Sequence, residues 1–422
     1  MLWLCILPPP LDAAALQRLG WWAQQWSGDI SVRAAEAEAA ATRSDPSLRH
    51  DVLWLEIGAS LALFGGLAAL LARIEAALGE LDYPFRHGMA PTPAAALLRA
   101  RAGCSAPCAD TAALQRSWRA FRLQWLALPE ATLAALAASG LTRIDQVLAL
   151  PSDALARRFG PATTRALRRL QGLEAEPLPR LGLPTRYHSR CEFAAEVHDT
   201  QALRFPLQRL LGEFQGYLRA RDRAVQDFTL CLEHAHHAET RLQVGTAQPE
   251  RAAARLLALL ALQLEKLALP EGVRALRVEA RRFTAPSVLQ QDLFDAAVEQ
   301  QQQWHETCDR LRAALGPGAL SLPRLQADHR PERAYRYAPV ADAAGSDHAP
   351  VAAPRPCMLL PEPQPLAAPP QLLAGPERIE SGWWSGEDAT RDYFAACDAR
   401  GSRLWVYFDR QRGGWYLHGL WS

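Results

Sequence analysis

The chain has 422 residues, which predicts two to four domains, and 49% of them are hydrophobic, enough for sizeable cores. Its 46 basic and 45 acidic residues give a net charge of +1, which excludes a protein drawn onto nucleic acid by its global field. Eight cysteines lack framework spacing and no stretch of transmembrane length is free of charge, so we expect reduced thiols in a cytoplasmic protein.

Strand and helix patterns alternate through the first 110 residues, which indicates an α/β layer. The opening MLWLCILPPP has no basic region, so it predicts a buried strand ended by prolines rather than a signal peptide. The predicted elements that follow are a helix at 11–27, a strand at 51–60, a helix at 61–82, a strand at 83–90 and a helix at 92–103. The residues expected on the inner face of the 61–82 helix are Leu63, Leu67, Leu70, Leu71, Ile74 and Leu78.

Short helices are predicted over 111–180, with Gly140, Gly160 and Gly172 at their ends. Residues 186–285 have the order β-α-β-β-α-β, which predicts a four-stranded sheet with two helices on one face.

The remaining residues begin with a helical segment within 286–340. Eight prolines between 350 and 370 predict an extended linker over 341–370. Three strands joined by the turns ARGS and QRGG are expected within 371–422.

Several stretches resemble the Y-family translesion DNA polymerases. LWLEIGASLALFGG and GMAPTPAAALL are similar to their palm, LTRIDQVLALPSDALARRFGPATTRAL to their thumb, and residues 191–283 to their little finger. ADHRPERAYRYAP and the C-terminal GPERIESGWWSGEDATRDYF and GGWYLHGLWS resemble the ImuB branch of that family. The implied fold is α+β and multidomain: a partial palm (1–110), a helical thumb (111–180), a little finger (186–285), a clamp-binding peptide with a helical segment (286–340), a proline-rich linker (341–370) and a small C-terminal β module (371–422).

The resemblance also locates the position where polymerases of this family hold metal. Two-metal nucleotidyl transfer needs closely placed carboxylates. Here the first strand, LWLCIL, has no acid, and the acidic pair of the second strand falls on Asp51 and Val52. One carboxylate cannot hold two divalent ions, so we expect no catalysis, no metal and no cofactor, with Asp51 a solvated residue at the strand end. The fingers, which should follow the first strand, are also missing.

Two groups of arginines are candidates for contact with the DNA backbone. The first group surrounds FGPATT in the thumb-like helices, and a solvated arginine face is an equally good interpretation of it. The second group would extend a groove in the little finger. The two groups are Arg157, Arg158, Arg165, Arg168 and Arg169, and Arg219, Arg221, Arg223, Arg281 and Arg282. Such contacts would be independent of sequence and sensitive to salt.

Two histidine and cysteine clusters raise the question of a metal site. His234, His236 and His237 fall between predicted strands, so an exposed hairpin turn explains them better than zinc does. Cys104 and Cys108 have no second pair nearby and make a weak half-site.

QQDLF, residues 290–294, resembles the pentapeptide with which bacterial polymerases dock on the β sliding clamp. Leu293 and Phe294 would fill an apolar pocket while Gln290 bonds at its rim. The full candidate set is Gln290, Gln291, Asp292, Leu293 and Phe294.

Tryptophans crowd the C-terminal segment, where some must form the core and exposed ones would anchor a partner. These candidates are Trp383, Trp384, Trp405, Trp415 and Trp421. Trp405 and Phe408 fall on opposite faces of one strand, so both cannot point inward.

ImuB proteins are polymerase-like members of the bacterial mutasome that are thought not to synthesise DNA. The resemblance therefore implies a non-catalytic adaptor in SOS-induced translesion synthesis. Its implied partners are the β sliding clamp, an error-prone C-family polymerase, an ImuA-like protein or recombinase filament, and DNA of any sequence, with no membrane. An active Y-family polymerase is the alternative, opposed by Val52 and by the acid-free first strand. A degenerate remnant without function is a third interpretation.

Overall fold

Helices and strands alternate along the chain in the computed structural model, which has a mixed α and β architecture. The structure describes residues 1–36, 49–126, 128–286, 296–316, 318–339, 355–356, 358–383, 386 and 388–421. The chain divides into two compact units, Met1–Ala314 and Leu315–Ser422. Among the described residues, every helix is too short or too polar to cross a membrane.

The first sheet lies near the N-terminus and has the strand order β2-β3-β1-β4, with all neighbours antiparallel. Its strands are β1 (Trp3–Leu7), β2 (Ile30–Arg33), β3 (Val52–Glu56) and β4 (Arg86–Ala90). Its helices are α1 (Ala13–Ala23), α2 (Leu67–Glu80) and α3 (Pro93–Arg101).

Both faces of this sheet are buried, which explains its nearly continuous apolar strands. Leu53 and Leu55 of β3 pack in one cluster with α1 and α2, whereas Val52 and Trp54 pack in another with α3. Strand residues point alternately to opposite faces, so a strand covered on both sides needs apolar residues throughout.

The predicted helix at 61–82 begins later than expected. Residues 58–60 form a 3-10 turn and α2 starts only after Gly65 and Gly66, whose positive φ angles of 79° and 99° suit glycine. Leu63 lies before these glycines and is 81% exposed, so its predicted inner position is wrong. Leu70, Ile74 and Leu78 are buried as expected.

Short helices occupy the next region. They are α4 (Thr111–Ser117), α5 (Glu130–Ala138), α6 (Ile144–Leu148), α7 (Ser152–Phe159) and α8 (Pro161–Gln171). Gly160 lies between α7 and α8 and has a φ of 84°, a conformation that favours glycine. This residue ends α7 and lets the chain change direction before α8 begins.

The second sheet has the order β5-β8-β6-β7 and is entirely antiparallel. Its elements are β5 (Tyr187–Val197), α9 (Arg204–Ala220), β6 (Val225–His234), β7 (Thr240–Glu250), α10 (Ala253–Leu264) and β8 (Val273–Ala280). Apolar residues of the two helices and of one sheet face form a single cluster. A further helix, α11 (Ala296–Leu315), follows this sheet in the chain.

Helix α1 of the first sheet packs closely on α9 of the second. Arg18 Nε lies 2.9 Å from Glu213 Oε2, and Tyr83 donates a hydrogen bond of 3.0 Å to the other carboxylate oxygen. A Cβ at Gly216 would collide with the Trp22 ring, so only glycine permits this approach. The two sheets therefore belong to one compact unit.

The C-terminal unit has more strands than the sequence predicts. A hairpin pairs β9 (Ser321–Leu325) with β10 (Tyr335–Pro339), inside 286–340, for which the sequence predicts only the clamp-binding peptide and a helical segment. A five-stranded antiparallel sheet has the order β11-β15-β14-β13-β12. Its strands are β11 (Met358–Leu366), β12 (Gln371–Ser381), β13 (Ala389–Cys397), β14 (Arg403–Asp409) and β15 (Gly414–Leu420).

The predicted linker at 341–370 is therefore wrong over β11. Pro361, Pro363 and Pro365 lie in that strand, which is at the edge of the sheet. Proline lacks a backbone N–H, and an edge strand needs no donor on its outer side. The predicted linker also includes 341–354, which lie outside the described residues.

Candidate functional site

The position that would hold metal in a polymerase is occupied by structural hydrogen bonds. Asp51 is only 5% exposed. Its Oδ2 accepts a 2.8 Å bond from Leu11 N and its Oδ1 a 2.9 Å bond from Ala35 N. The expectation of a solvated carboxylate is therefore wrong, because Asp51 joins the chain before α1 and the chain after β2 to the start of β3.

Val52 follows Asp51 and is fully buried in β3, opposite Arg33 of β2. The next acid of the strand is Glu56. Its Oε1 accepts from Leu2 N at 2.9 Å, and its Oε2 accepts from Ala59 N at 3.2 Å.

Asp51 and Glu56 stand at opposite ends of the strand, about 16 Å apart along an extended chain, so they cannot hold the same ion. In the part of the chain that the structure describes, no group of three or more His, Cys, Asp or Glu side chains is placed to hold a metal ion.

The first arginine group is divided in two by the structure. Arg157 and Arg158 are exposed in the last turn of α7, beside the N-terminus of α8. Arg165, Arg168 and Arg169 instead gather round Glu174. The distances from their Nε atoms to the Glu174 carboxylate are 3.3, 3.7 and 3.7 Å.

One carboxylate thus offsets part of the charge of three arginines. This contact could not be read from the pattern, because the sequence does not show which way Glu174 turns after the helix. Arg157 and Arg158 remain as a pair of exposed cations at a helix junction, which is a suitable place for a phosphate.

The two parts of the second arginine group are brought together. Ala224 N donates to Thr284 O at 2.9 Å and forms a bridge, so the residues after α9 lie beside those after β8. Arg281 and Arg282 are 72% and 82% exposed, and their side chains lie 3.7 Å from Glu279 and 3.9 Å from Asp227, respectively. Arg223 is exposed nearby.

Arg221 differs from its neighbours, since it is used by the fold. Its Nη1 donates to Pro184 O at 2.6 Å and to Tyr217 Oη at 2.7 Å, and the guanidinium lies over the Phe283 ring at 5.5 Å. Partial burial lowers the pKa of Arg219, and the positive charge of the neighbouring Arg251 lowers it further. The end of α9 therefore combines exposed arginines with one structural arginine.

The open face of the second sheet carries charged residues that the sequence pattern did not single out. Arg277 lies 3.1 Å from Glu233 and 2.6 Å from Glu239. Arg190 lies 2.9 Å from Glu233 and 2.7 Å from Glu192. The alternation of arginine and glutamate along neighbouring strands could have indicated this charged face from the sequence. The acidic and basic charges on this face therefore offset one another.

His236 and His237 lie exposed in the turn between β6 and β7, as the sequence predicts, whereas His234 is the half-buried last residue of β6. His236 Nδ1 is 3.0 Å from Glu271, and backbone amides of His236 and His237 donate to the same carboxylate. These bonds hold the pKa of Glu271 at about 2. His234 bonds to Thr240 Oγ1 at 2.9 Å, so each histidine has a role in the turn.

The candidate clamp peptide, Gln290–Phe294, lies outside the described residues. The helix after it, α11, is fastened to the second sheet. Asp309 is 2% exposed and accepts a 2.7 Å bond from Ala247 N of β7. The helix that comes after the peptide is thus anchored by a buried carboxylate.

The C-terminal tryptophans fall into different environments. Trp405 is 3% exposed and stacks on Tyr393 at 4.3 Å between ring centroids, so its assignment as a partner anchor is wrong. Trp383 is 74% exposed. Trp415 and Trp421 are half-buried, and Trp384 lies outside the described residues.

Trp405 and Phe408 do lie on opposite faces of β14, in agreement with the strand pattern. Trp405 belongs to the cluster around Tyr393 and Tyr407. Phe408 lies 5.4 Å from the half-buried Trp415 on the other face.

A buried polar group in this unit is not evident from the sequence. His418 is 1% exposed, and its Nδ1 lies 2.8 Å from Tyr393 Oη. Arg391 Nη1 contacts Glu332 at 2.9 Å and Tyr393 Oη at 3.1 Å. This group fastens the ADHRPERAYRYAP segment to the sheet through Glu332.

No family model matches the chain. The chain is 27% identical over 447 residues to Protein ImuB of Caulobacter vibrioides strain NA1000 / CB15N, covering 98% of this chain and 94% of that protein. Protein ImuB of strain ATCC 19089 / CIP 103742 / CB 15 gives the same identity and coverage.

Similar solved structures include an insertion ternary complex of Dbh DNA polymerase. It is 13% identical with a TM-score of 0.31, and 63% of this chain and 74% of that chain are covered. DinB from Sulfolobus solfataricus is 13% identical with a TM-score of 0.31, covering 65% and 77%. A Y-family DNA polymerase chimera is 11% identical with a TM-score of 0.29, covering 68% and 100%.

The sequence match covers nearly the whole length of both chains and agrees with the resemblance to the ImuB branch. The chain is ImuB-like.

Proposed function

We propose that the protein is a non-catalytic, DNA-binding adaptor in SOS-induced translesion synthesis. It would bring an error-prone C-family polymerase and an ImuA-like partner to the β sliding clamp. The observation that carries this proposal is Asp51, whose two carboxylate oxygens are both occupied by backbone amides, next to the buried Val52. A carboxylate held in this way supports the fold and is not free to bind Mg²⁺.

Contact with DNA is supported by two exposed arginine surfaces. One contains Arg157 and Arg158, and the other contains Arg223, Arg281 and Arg282. Arginines at such positions can contact the phosphates, which are the same at every sequence, and this fits a protein that must bind DNA of any sequence.

Clamp binding rests on QQDLF at 290–294 and on the helix α11 behind it. Helix α11 follows the peptide in the chain, and Asp309 fastens this helix to the second sheet.

Recruitment of protein partners is assigned to the C-terminal sheet. Trp383 is its most exposed tryptophan among the described residues. Trp415 lies 5.5 Å from Phe394 and 5.4 Å from Phe408, and the three form a half-buried aromatic patch. Aromatic patches of this kind are enriched at protein interfaces.

A pull-down with the clamp, the error-prone polymerase and the ImuA-like protein tests the proposal. The wild-type chain should retain all three, and Trp383→Ala with Trp415→Ala should lose the polymerase or the ImuA-like protein while keeping the clamp. Exposed Leu173→Ala is a control for loss of an apolar surface residue. Primer extension with Mg²⁺ or Mn²⁺ should give no product, and robust synthesis would overturn the proposal.

A further inference from the structure

The ADHRPERAYRYAP segment has an inner and an outer half. Its inner half is explained by packing: Arg330 is 4% exposed and pairs with Asp328, while Glu332 contacts Arg391. Its outer half, on β10, is not explained in this way. Tyr335 and Tyr337 are 43% and 68% exposed.

These tyrosines share one face of the β9–β10 hairpin. Tyr335 stands opposite Leu325, which is 62% exposed, and Tyr337 stands opposite Pro323. The two tyrosine rings are 5.9 Å apart and perpendicular, so they do not cover each other by stacking. The two tyrosines therefore leave much of their ring surface open to solvent.

The other face of the hairpin carries a pair of like charges. Arg336 and Arg324 are direct partners in the register. Like charges directly opposed in a sheet are destabilising. Among the described residues neither arginine forms an ion pair, because the two acids of the hairpin, Asp328 and Glu332, are engaged by Arg330 and Arg391.

We propose that this hairpin binds single-stranded DNA. Bases would stack on Tyr335 and Tyr337, and phosphates of the same strand would contact Arg324 and Arg336 on the other face of the two-stranded ribbon. Exposed aromatics beside cations are the usual means of holding single strands without sequence preference. The two arginines, which form no ion pair among the described residues, favour a ligand with negative charge, and a nucleic acid strand supplies both this charge and rings that stack on the tyrosines. The inference deepens the proposed adaptor function, on which it rests for the presence of DNA.

Fluorescence anisotropy of the full chain with a labelled oligo-dT tests this inference. Tyr335→Ala with Tyr337→Ala should weaken binding at least about tenfold, since each stacked base typically contributes a factor of that order. Tyr335→Phe with Tyr337→Phe should bind as wild type, because the rings remain. Arg324→Ala with Arg336→Ala should reduce the slope of log affinity against log salt by about 1.4, from two phosphates. Exposed Phe205→Ala, in the other unit, should have no effect.

Duplex DNA and clamp binding, measured on the same variants, separate this inference from the proposed function. Both should be unchanged, with an unaltered thermal midpoint showing that the fold is intact. Oligo-dT affinity within twofold of wild type for the alanine pair would overturn the inference. Loss of a protein partner without loss of oligo-dT would do the same and would assign the hairpin to that partner.

Discussion

Arg18 on α1 and Glu213 on α9 form a buried ion pair across 195 residues of sequence, with 2.9 Å between Nε and Oε2. Their side chains are 6% and 1% exposed. Since Tyr83 donates to the same carboxylate, Glu213 connects three segments of the first unit.

Removal of one member of this pair should destabilise the protein strongly. Glu213→Leu leaves a buried guanidinium without its partner, and we expect a loss of about 3–5 kcal/mol in the free energy of unfolding, measured with urea. Arg18→Met combined with Glu213→Leu should recover much of that loss, because no charge then remains buried. A single variant as stable as wild type would show that the pair contributes nothing.

The close approach of α1 and α9 depends on Gly216. Gly216→Ala places a methyl group against the rigid Trp22 ring, so the free energy of unfolding should fall by about 1–3 kcal/mol. Gly79 in α2 is the matched control, since an added Cβ meets nothing within 4 Å. There the same substitution should stabilise by up to about 1 kcal/mol through helix propensity. Equal effects at both sites would contradict the packing argument.

Glu174 should restrain DNA binding. Glu174→Gln frees Arg165, Arg168 and Arg169, so affinity for duplex DNA should rise and its dependence on salt should steepen. Exposed Glu130→Gln removes the same charge elsewhere and controls for net charge. Reversal of all five arginines around α7 and α8 to Glu should weaken binding equally across sequences. An unchanged salt slope in both experiments would leave these arginines as a solvated face.

The clamp peptide gives a prediction that is independent of folding. Leu293→Ala with Phe294→Ala should abolish clamp binding, as truncation of an anchor typically costs about 2 kcal/mol or more. Gln301→Ala with Gln303→Ala, exposed on α11, is the control within the same glutamine-rich stretch. Surface plasmon resonance on immobilised clamp measures both. Unchanged affinity in the first pair would remove the assignment.

Asp328 predicts a specific dependence of stability on pH. Hydrogen bonds from the Arg330 side chain hold the pKa of Asp328 at about 2. Because this lies below the ordinary value of about 4, the folded state is stabilised at higher pH, and this stability is lost as pH falls from about 4 to about 2. Asp328→Asn and Arg330→Gln should each make the melting temperature depend less on pH over that interval. A profile identical to wild type would contradict the assignment.

Helices and strands with a clear apolar pattern in their own sequence are predicted correctly. Elements that form only because they pair with a distant segment are not predicted. The helix over Leu70, Ile74 and Leu78 follows from spacing alone. Ile30–Arg33 is too short to signal a strand, and its pairing with β3 makes it one. Leu63 fits the helical spacing but lies before two glycines that delay the helix.

Side-chain roles are still harder to predict than elements. Asp51 is recognisable as the surviving acid of a metal position, but its two amide donors come from residues 40 and 16 positions away. The Glu174 and Arg18 contacts likewise depend on how separate segments meet. Such contacts are tertiary, and a pattern in one stretch of sequence does not contain them.

The edges of the C-terminal sheet have a consequence for assembly. Strand β11 carries three alternate prolines, and β12, at the opposite edge, carries Pro376 and two shifts of register. Exposed edges normally invite another chain to add its backbone, which leads to aggregation or fibres, and proline and bulges prevent this. If the chain gathers several partners as proposed, prolines and bulges at these edges would keep copies of the chain from pairing with one another. Contacts of this sheet with other proteins would then be made by side chains.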